Sequence, residues 1–350
     1  MHGIQITAAE AVTAVGWTAA STAASVRAGI SRIFLHDLYP DEEGHPLSVA
    51  PLPGDEGFAD PFDRIAPAAI GALRALMKTL DARYDEGRPR HLLLGAAHPD
   101  RSGSLYEKPE DLLPVAMASE LATLFQTPPV QVFPHGNPSG LFAFEAASEI
   151  IAGDPRALCV VGAIDSLLNE GLLERLEDGE RLKSEGDGSP HGISPGEAVG
   201  LVLVESTRFT TSRAPLAVVG SVVTGHEPHP YSSKEPTLAE GLTAVCEGAL
   251  REARLAPSDV DTVLIDLDGE YHRSAEWSNT EVRCLGSSSR ARRLIHPADS
   301  YGSIGAASGI VQAAIVTSSR GWLDGVDLVL ASDNEGPRGA AVLQRRWRGN

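Results

Sequence analysis

The stretch VFPHGNPSGLFAF, Val132 to Phe144, decides how the rest of the chain is read. A strand-like apolar run reaches a tight turn containing Gly136 and Pro138, and small residues then open an apolar helix. A helix that begins so abruptly turns its free backbone N–H groups, and the positive end of its dipole, toward whatever sits in the turn. That arrangement presents a reactive side chain. The most exposed position of this turn holds Asn137, whose neutral amide does not attack a carbonyl at neutral pH. The stretch has the form of a reactive site without a nucleophile.

Outward from it, strands and helices alternate. A strand covers about Gly3 to Ala8 and a helix about Ala19 to Ala28, followed by a Pro/Gly/Asp-rich insert from His36 to Asp63. RIAPAAIGALRALMKTLDAR (64–83) reads as a helix, HLLLGAA (91–97) as a buried strand and DLLPVAMASELATLF (111–125) as another helix. VQVF (130–133) is a strand, SGLFAFEAASEIIAG (139–153) a helix, and ALCVVGAID (157–165) and AVGLVLVES (198–206) are strands. The same order then returns. PLAVVGSVVTG (215–225) is a strand, TLAEGLTAVCEGALREARL (237–255) an amphipathic helix, VDTVLIDLDG (260–269) a strand, and a helix is expected near Glu276 to Cys284. ARRLI (291–295), the helix GAASGIVQAAIVTSSRGWL (305–323), VDLVLASD (326–333) and GAAVLQRR (339–346) close it.

Segments 139–165 and 305–333 match most sharply: small-residue entry, helix, short turn, buried strand. Such repetition predicts an internal duplication, with halves 1–205 and 206–350 forming one compact unit. The Ala/Gly/Ser faces of the two equivalent helices predict that they are buried as a pair between two sheets, an α/β αβαβα layered sandwich.

Bulk composition narrows the function. The 350 residues are 42% hydrophobic with 35 glycines, which suits a folded α/β protein. Forty-seven acidic against 29 basic residues give a formal net charge of -18, so neither nucleic acid nor an anionic membrane is an expected partner. An acidic carrier protein would be repelled without a local basic patch, and RRWR (345–348) is too short to supply one. Cys159, Cys246 and Cys284 show no CxxC spacing, so neither a disulfide framework nor a zinc site is expected, and a reducing cytoplasm is the expected location. No signal peptide pattern opens the chain, and no apolar run approaches the roughly 18 residues of a membrane helix. EGDGSPHG (185–192) lacks the Gly-Lys-Ser/Thr ending of a phosphate cradle, and no cofactor or metal is expected.

Four segments resemble the thiolase-like superfamily and, within it, the β-ketoacyl synthases. ITAAEAVTAVGWTAASTAASVRAGISRI (6–33) is similar to the ketosynthase opening, and HGNPSGLFAFEAASEIIAGDPRALCVVGAIDSLL (135–168) to the region of the nucleophile. HGISPGEAVGLVLVES (191–206) resembles the Gly-x-x-x-Gly-Glu-Gly-x-Gly strand, with Gly192, Gly196, Glu197 and Gly200 in register. YGSIGAASGIVQAA (301–314) resembles the Gly-His-x-x-Gly-Ala-Ala-Gly motif. The resemblance implies a decarboxylative condensation by a cysteine thiolate and two histidines. It places Asn137 at the cysteine, Asp268 at the first histidine and Gly302 at the second. The lysine of the motif falls near Pro297 or Ala298, and SDNEGPRGAAV (332–342) matches the last loop without its phenylalanine. Every catalytic side chain is replaced, so the expected function is a catalytically inactive partner, scaffold, chaperone or adaptor subunit, comparable to a chain-length factor. The alternative is an acyltransferase or decarboxylase with a non-standard site.

The remaining candidates are few. His135 is either a base or a turn residue, and Ser139 and Ser303 are helix-start hydroxyls that cap backbone N–H groups or line the pocket. His98, His272 and His296 fall near strand ends on the same side. Cys159 and Cys246 read as core residues and Cys284 as an inert, partly exposed thiol. Asp266, Asp268 and Glu270 alternate, and hydrogen-bonded or solvated carboxylates are a better reading than a metal site. A homodimer, or a heterodimer with another ketosynthase-like chain or an effector or accessory protein, is expected through the ALCVVGA strand (157–163); an acyl carrier protein is a further partner the resemblance allows.

Overall fold

The computed structural model describes residues 3–54, 61–101, 117, 130–185, 190–209, 213–233, 235–286, 292–318 and 325–345. Its strands are β1 (Ile4–Thr13), β2 (Phe34–Pro40), β3 (Pro46–Val49), β4 (Arg90–Ala96), β5 (Val130–Pro134), β6 (Leu158–Ser166) and β7 (Glu197–Ser206), then β8 (Ala217–His226), β9 (Thr262–Ile265), β10 (Arg293–Ile295), β11 (Gly325–Ser332) and β12 (Pro337–Arg345). The longer helices are α1 (Ala19–Arg27), α2 (Pro61–Met77), α3 (Ser139–Gly153), α4 (Glu170–Asp178), α5 (Glu240–Ala253), α6 (Tyr271–Thr280) and α7 (Ser308–Ser318).

The main sheet runs β10-β9-β11-β12-β8-β1-β7-β6-β4-β5. Outward from its centre, β1-β7-β6-β4-β5 and β8-β12-β11-β9-β10 follow one pattern: two antiparallel pairings, then two parallel ones. The two sheets expected from the sequence are hydrogen-bonded into one, because β1 also pairs with β8 from Ile4–Val219 to Ile6–Ala217. That sheet wraps the central helices: α3 touches β4 and β6 on one side and β8 and β12 on the other, and α7 touches β1 and β7 as well as β11.

Three apolar layers hold this arrangement. Leu141, Phe144 and Ile151 of α3 pack with Ile310, Val311 and Ile315 of α7 and with strand residues from both sides of the sheet. Ile65, Leu73 and Leu76 of α2 cover the outer face of Leu92, Val199, Leu201 and Leu203. Leu242, Val245 and Ala249 of α5 cover Val263, Leu328 and Val342. Strand β7 is buried at every position, since Val199, Leu201 and Leu203 face α2 while Ala198, Val202 and Val204 face the centre. Burial on both faces is why it reads as a continuous apolar run and not as an alternation. The small residues of the central helices permit close approach: a Cβ on Gly140 would overlap the Ile310 side chain.

Several expectations need correction. The insert after α1 carries the β2–β3 hairpin, and α4 was not foreseen at all; its Leu172, Leu173 and Leu176 pack against Tyr39, Leu47 and Val49 of that hairpin. Helix α6 begins at Tyr271, five residues before the expected start, where Gly269 with φ 109 turns the chain between β9 and the helix. Its polar sequence hides any helical period. Cys284 is buried and bonded to Cys246 in a disulfide, although nothing in the cysteine spacing announces the pair. Strand β6, the expected dimer edge, is paired on both sides, by β4 and β7; the ends of the sheet are β5 and β10. Apart from Met117, the helix expected at 111–125 lies outside the described residues, as does all of RRWR except Arg345. Among the described residues, no helix is long and apolar enough to cross a membrane.

Candidate functional site

Asn137 sits where the two sides of the sheet meet. Gly136 has φ 66, and a Cβ there would overlap the Asp333 carboxylate, so the turn requires glycine. The Asn137 backbone N–H donates to Asp333 Oδ2 at 3.1 Å and its side-chain Nδ2 donates to Asp266 Oδ2 at 3.0 Å. Asp266 follows β9 and Asp333 follows β11, neighbouring parallel strands whose C-terminal ends point at the start of α3. A neutral donor between two carboxylates satisfies both; an anionic side chain here would add a third negative charge. Asn137 is buried.

Arg273, in the first turn of α6, organises the acids. Its Nη1 donates to Asp266 Oδ2 at 3.2 Å and to the Ser332 carbonyl at 2.6 Å, and its Nη2 donates to Asn334 Oδ1 at 3.1 Å. Its Nε lies 3.4 Å from Glu270 Oε2 and 3.5 Å from Asp268 Oδ2. Glu270 also receives Arg181 at 2.6 and 3.1 Å. The alternating acids are therefore buried ion pairs. Burial pushes the Asp268 carboxyl up to about 6, outweighing the opposing pull of Arg273. Burial also acts on Glu270, but hydrogen bonds from Arg181 and the charge of Arg273 prevail and bring it down to about 2. Burial disfavours the Arg273 cation, yet Asp268, Asp266 and Glu270 hold it charged above its ordinary range.

The structure places Asp268 against Ser303, whose Oγ donates to Asp268 Oδ2 at 3.0 Å. Gly302 presents no side chain and has no room for one: with φ 74, a Cβ would stand 2.5 Å from the Ser194 carbonyl oxygen. Ser303 is thus the residue of this turn that reaches the acids, and Gly302 shapes the turn. Asp266, Asp268, Tyr301, Ser303, Ser308 and Gln312 line a cavity of about 10 Å³ for the centre of a water molecule, room for about one.

Other candidates fall outside this network or take structural parts in it. His135 stacks on Phe142 with ring centroids 4.0 Å apart, and burial followed by nearby His226 and His98 holds its imidazole below the usual range. Ser139 is no cap: its Oγ donates to the Ala306 carbonyl at 3.2 Å, tying the starts of α3 and α7 together. His272 joins the network through Asn334 at 3.0 Å, and burial brings it down to about 4. His296 pairs with Asp299 instead, at 2.6 Å. Cys159 lies in β6 with its thiol pushed up to about 12 by burial. Glu197, one of the resemblance residues, is buried and bound by Arg64 at 2.6 Å and Ser166 at 2.8 Å. Arg273, Arg181 and Asp333 were not singled out from the sequence; their only signal is charge in otherwise polar segments.

The layered duplication of sheet order around two buried helices, with a helix N-terminus at the strand ends, is the thiolase-like ketosynthase fold. Solved structures bear this out. A chain of the structure of a type II PKS acyl-carrier protein in complex with its ketosynthase bound to the hexaketide matches with TM-score 0.80 and 15% identity, over 99% of this chain and 100% of that one. The ishigamide ketosynthase/chain length factor matches with TM-score 0.70 and 23% identity, over 99% and 100%. An oxazolomycin ketosynthase domain from Streptomyces albus JA3453 matches with TM-score 0.78 and 14% identity, over 100% of this chain and 75% of that one. No family model matches the sequence, and no curated protein matches it.

Proposed function

We propose that this chain is a ketosynthase-fold protein without condensing chemistry, acting as a partner, scaffold or adaptor for another protein. The observation that carries the reading is Asn137: the helix start that should present a nucleophile holds an amide already committed to Asp266. The resemblance puts Asp268 at the first histidine and Gly302 at the second, and the side chain that reaches Asp268 from that turn is the Ser303 hydroxyl, not an imidazole. A thioester oxyanion or malonyl carboxylate entering here meets Asp266 and Asp268 in place of imidazoles, and the nearby cation, Arg273, is already shared among three acids.

The division into duplicated halves near 205/206 belongs to the same reading and is supported by the repeated pairing pattern. The partner is a second copy, another ketosynthase-like chain, or an effector or accessory protein. The outer edge of β5, an end of the main sheet, suits it better than β6 does. An acyl carrier protein is a weaker candidate against a net charge of -18.

The test is intact-mass measurement after incubation with acetyl and malonyl thioesters. No adduct and no decarboxylation above background are expected, and Asn137→Cys alone should not restore condensation. The rival reading, an acyltransferase with a non-standard site, rests on the Ser303–Asp268 pair at the cavity wall. A stoichiometric adduct abolished by Ser303→Ala would establish that rival and overturn the proposal.

A further inference from the structure

Cys246 lies in α5, and Cys284 lies in a single π-helical turn, Glu281–Leu285, that continues α6. Their disulfide spans a sequence separation of 38 residues, with Cα atoms 6.5 Å apart. Both cysteines are buried, yet the turn around Cys284 is a surface turn: Glu281, Val282 and Arg283 are exposed, Val282 at 75%. Opening that turn alone brings the Cys284 sulfur to solvent.

The other end of α6 bears Arg273, on which Asp266, Asp268 and Glu270 converge. Between the two ends, Glu276 pairs with Arg338 at 2.7 Å, Trp277 is buried in the layer under α5, and Thr280 Oγ1 meets Thr243 Oγ1 of α5 at 3.3 Å. The disulfide therefore closes the α5–α6 seam at the end away from the acids. Cys159 takes no part, being buried in β6 with its thiol held protonated.

We propose that Cys246 and Cys284 form a reversible redox link that fixes α6, and with it Arg273, against α5. A dithiol reductant supplies the electrons. Its thiolate attacks Cys284 Sγ, the Cys246–Cys284 bond breaks, and Cys246 leaves as a thiolate that takes up a proton. The second thiol of the reductant then displaces Cys284, which is protonated in turn, and the reductant departs as its cyclic disulfide. A disulfide in a chain without other paired cysteines is the form redox sensors take where thiols are otherwise kept reduced.

The experiment uses the full chain equilibrated with glutathione disulfide or with dithiothreitol, then denatured and alkylated. One alkylated cysteine is expected after oxidation and three after reduction. Three in both states, or one in both, overturns the proposal. Hydrogen exchange on the same two folded samples should show about tenfold faster exchange across 271–286 after reduction, with 139–153 unchanged. The melting temperature should fall by about 5 °C. Equal exchange across 271–286 in the two states refutes the link to α6. Cys284→Ser should behave as the reduced protein, and the wild-type comparison decides the matter should that variant not fold.

Discussion

Replacing Arg273 by methionine tests whether the site is an internally neutralised ion-pair cluster. Methionine keeps much of the volume and removes the charge, leaving Asp266, Asp268 and Glu270 without the cation they share and the Ser332 carbonyl and Asn334 without its hydrogen bonds. Breaking a buried pair from one side costs about 3–5 kcal/mol, because the charges left behind stay desolvated. The cost must depend on pH. Asp268 already sits at about 6, and losing the opposing pull of Arg273 moves it further up, so its ionised form opposes folding above that point. Lowering the pH lets Asp268 protonate, which returns about 1.4 kcal/mol for every tenfold rise in its proton affinity on folding. The expected loss is about 4 kcal/mol at pH 8 and about 2 kcal/mol at pH 5. For 350 residues the first figure lowers the melting temperature by about 5 °C. Urea unfolding followed by circular dichroism at both pH values, at constant ionic strength, measures it. A loss below about 1 kcal/mol, or the same loss at both pH values, would refute the reasoning.

Three further outcomes follow from the same geometry. Asn137→Asp, which sets a carboxylate against Asp266 and Asp333, should destabilise by about 2–4 kcal/mol at pH 8, more than Asn137→Ala; equal effects in parallel denaturation curves would contradict the arrangement. Asp268, raised from 3.8 to about 6, contributes stability that is full below pH 4 and lost as pH rises through 6, whereas Glu270, lowered from 4.5 to about 2, contributes stability present above pH 4.5 and lost as pH falls through 2. Asp268→Asn should therefore gain on the wild type by about 2–3 kcal/mol between pH 4 and pH 7 in melting profiles, and a flat difference would rule this out. Gly136→Ala should cost about 2–4 kcal/mol, because it combines φ 66 with a clash against Asp333, while Gly153→Ala, with open space around it, should stay within about 0.5 kcal/mol. Thermal melts of the two variants side by side would expose an error in either.

The periodic parts of the chain were legible because period and burial are local properties. SGLFAFEAASEIIAG is helical over all of 139–153 as read, and the apolar runs of β4, β6 and β7 announced strands. The absence of a nucleophile at Asn137 was legible too, since one side-chain type at a helix start suffices. The polar elements were not legible. Helix α6 carries Arg273, Glu276 and Trp277 toward the interior with no apolar stripe, so its start and its function show only once β9 and β11 deliver Asp266 and Asp333 beside it.

By itself, the sequence determined the repeated order of strands and helices, the small-residue faces that let α3 and α7 approach, and the amide at the start of α3. Tertiary structure alone decided what that amide meets. Asn137 meets Asp266 across 129 residues and Asp333 across 196, and Cys246 meets Cys284 across 38. Buried charges need partners, and those partners come from the far side of the sheet, where no local period records them. Gly302 and Ser303 make the point at single-residue scale: adjacent in the motif, they are told apart only by the Ser194 carbonyl that fills the space beside one and the Asp268 carboxylate that receives the other.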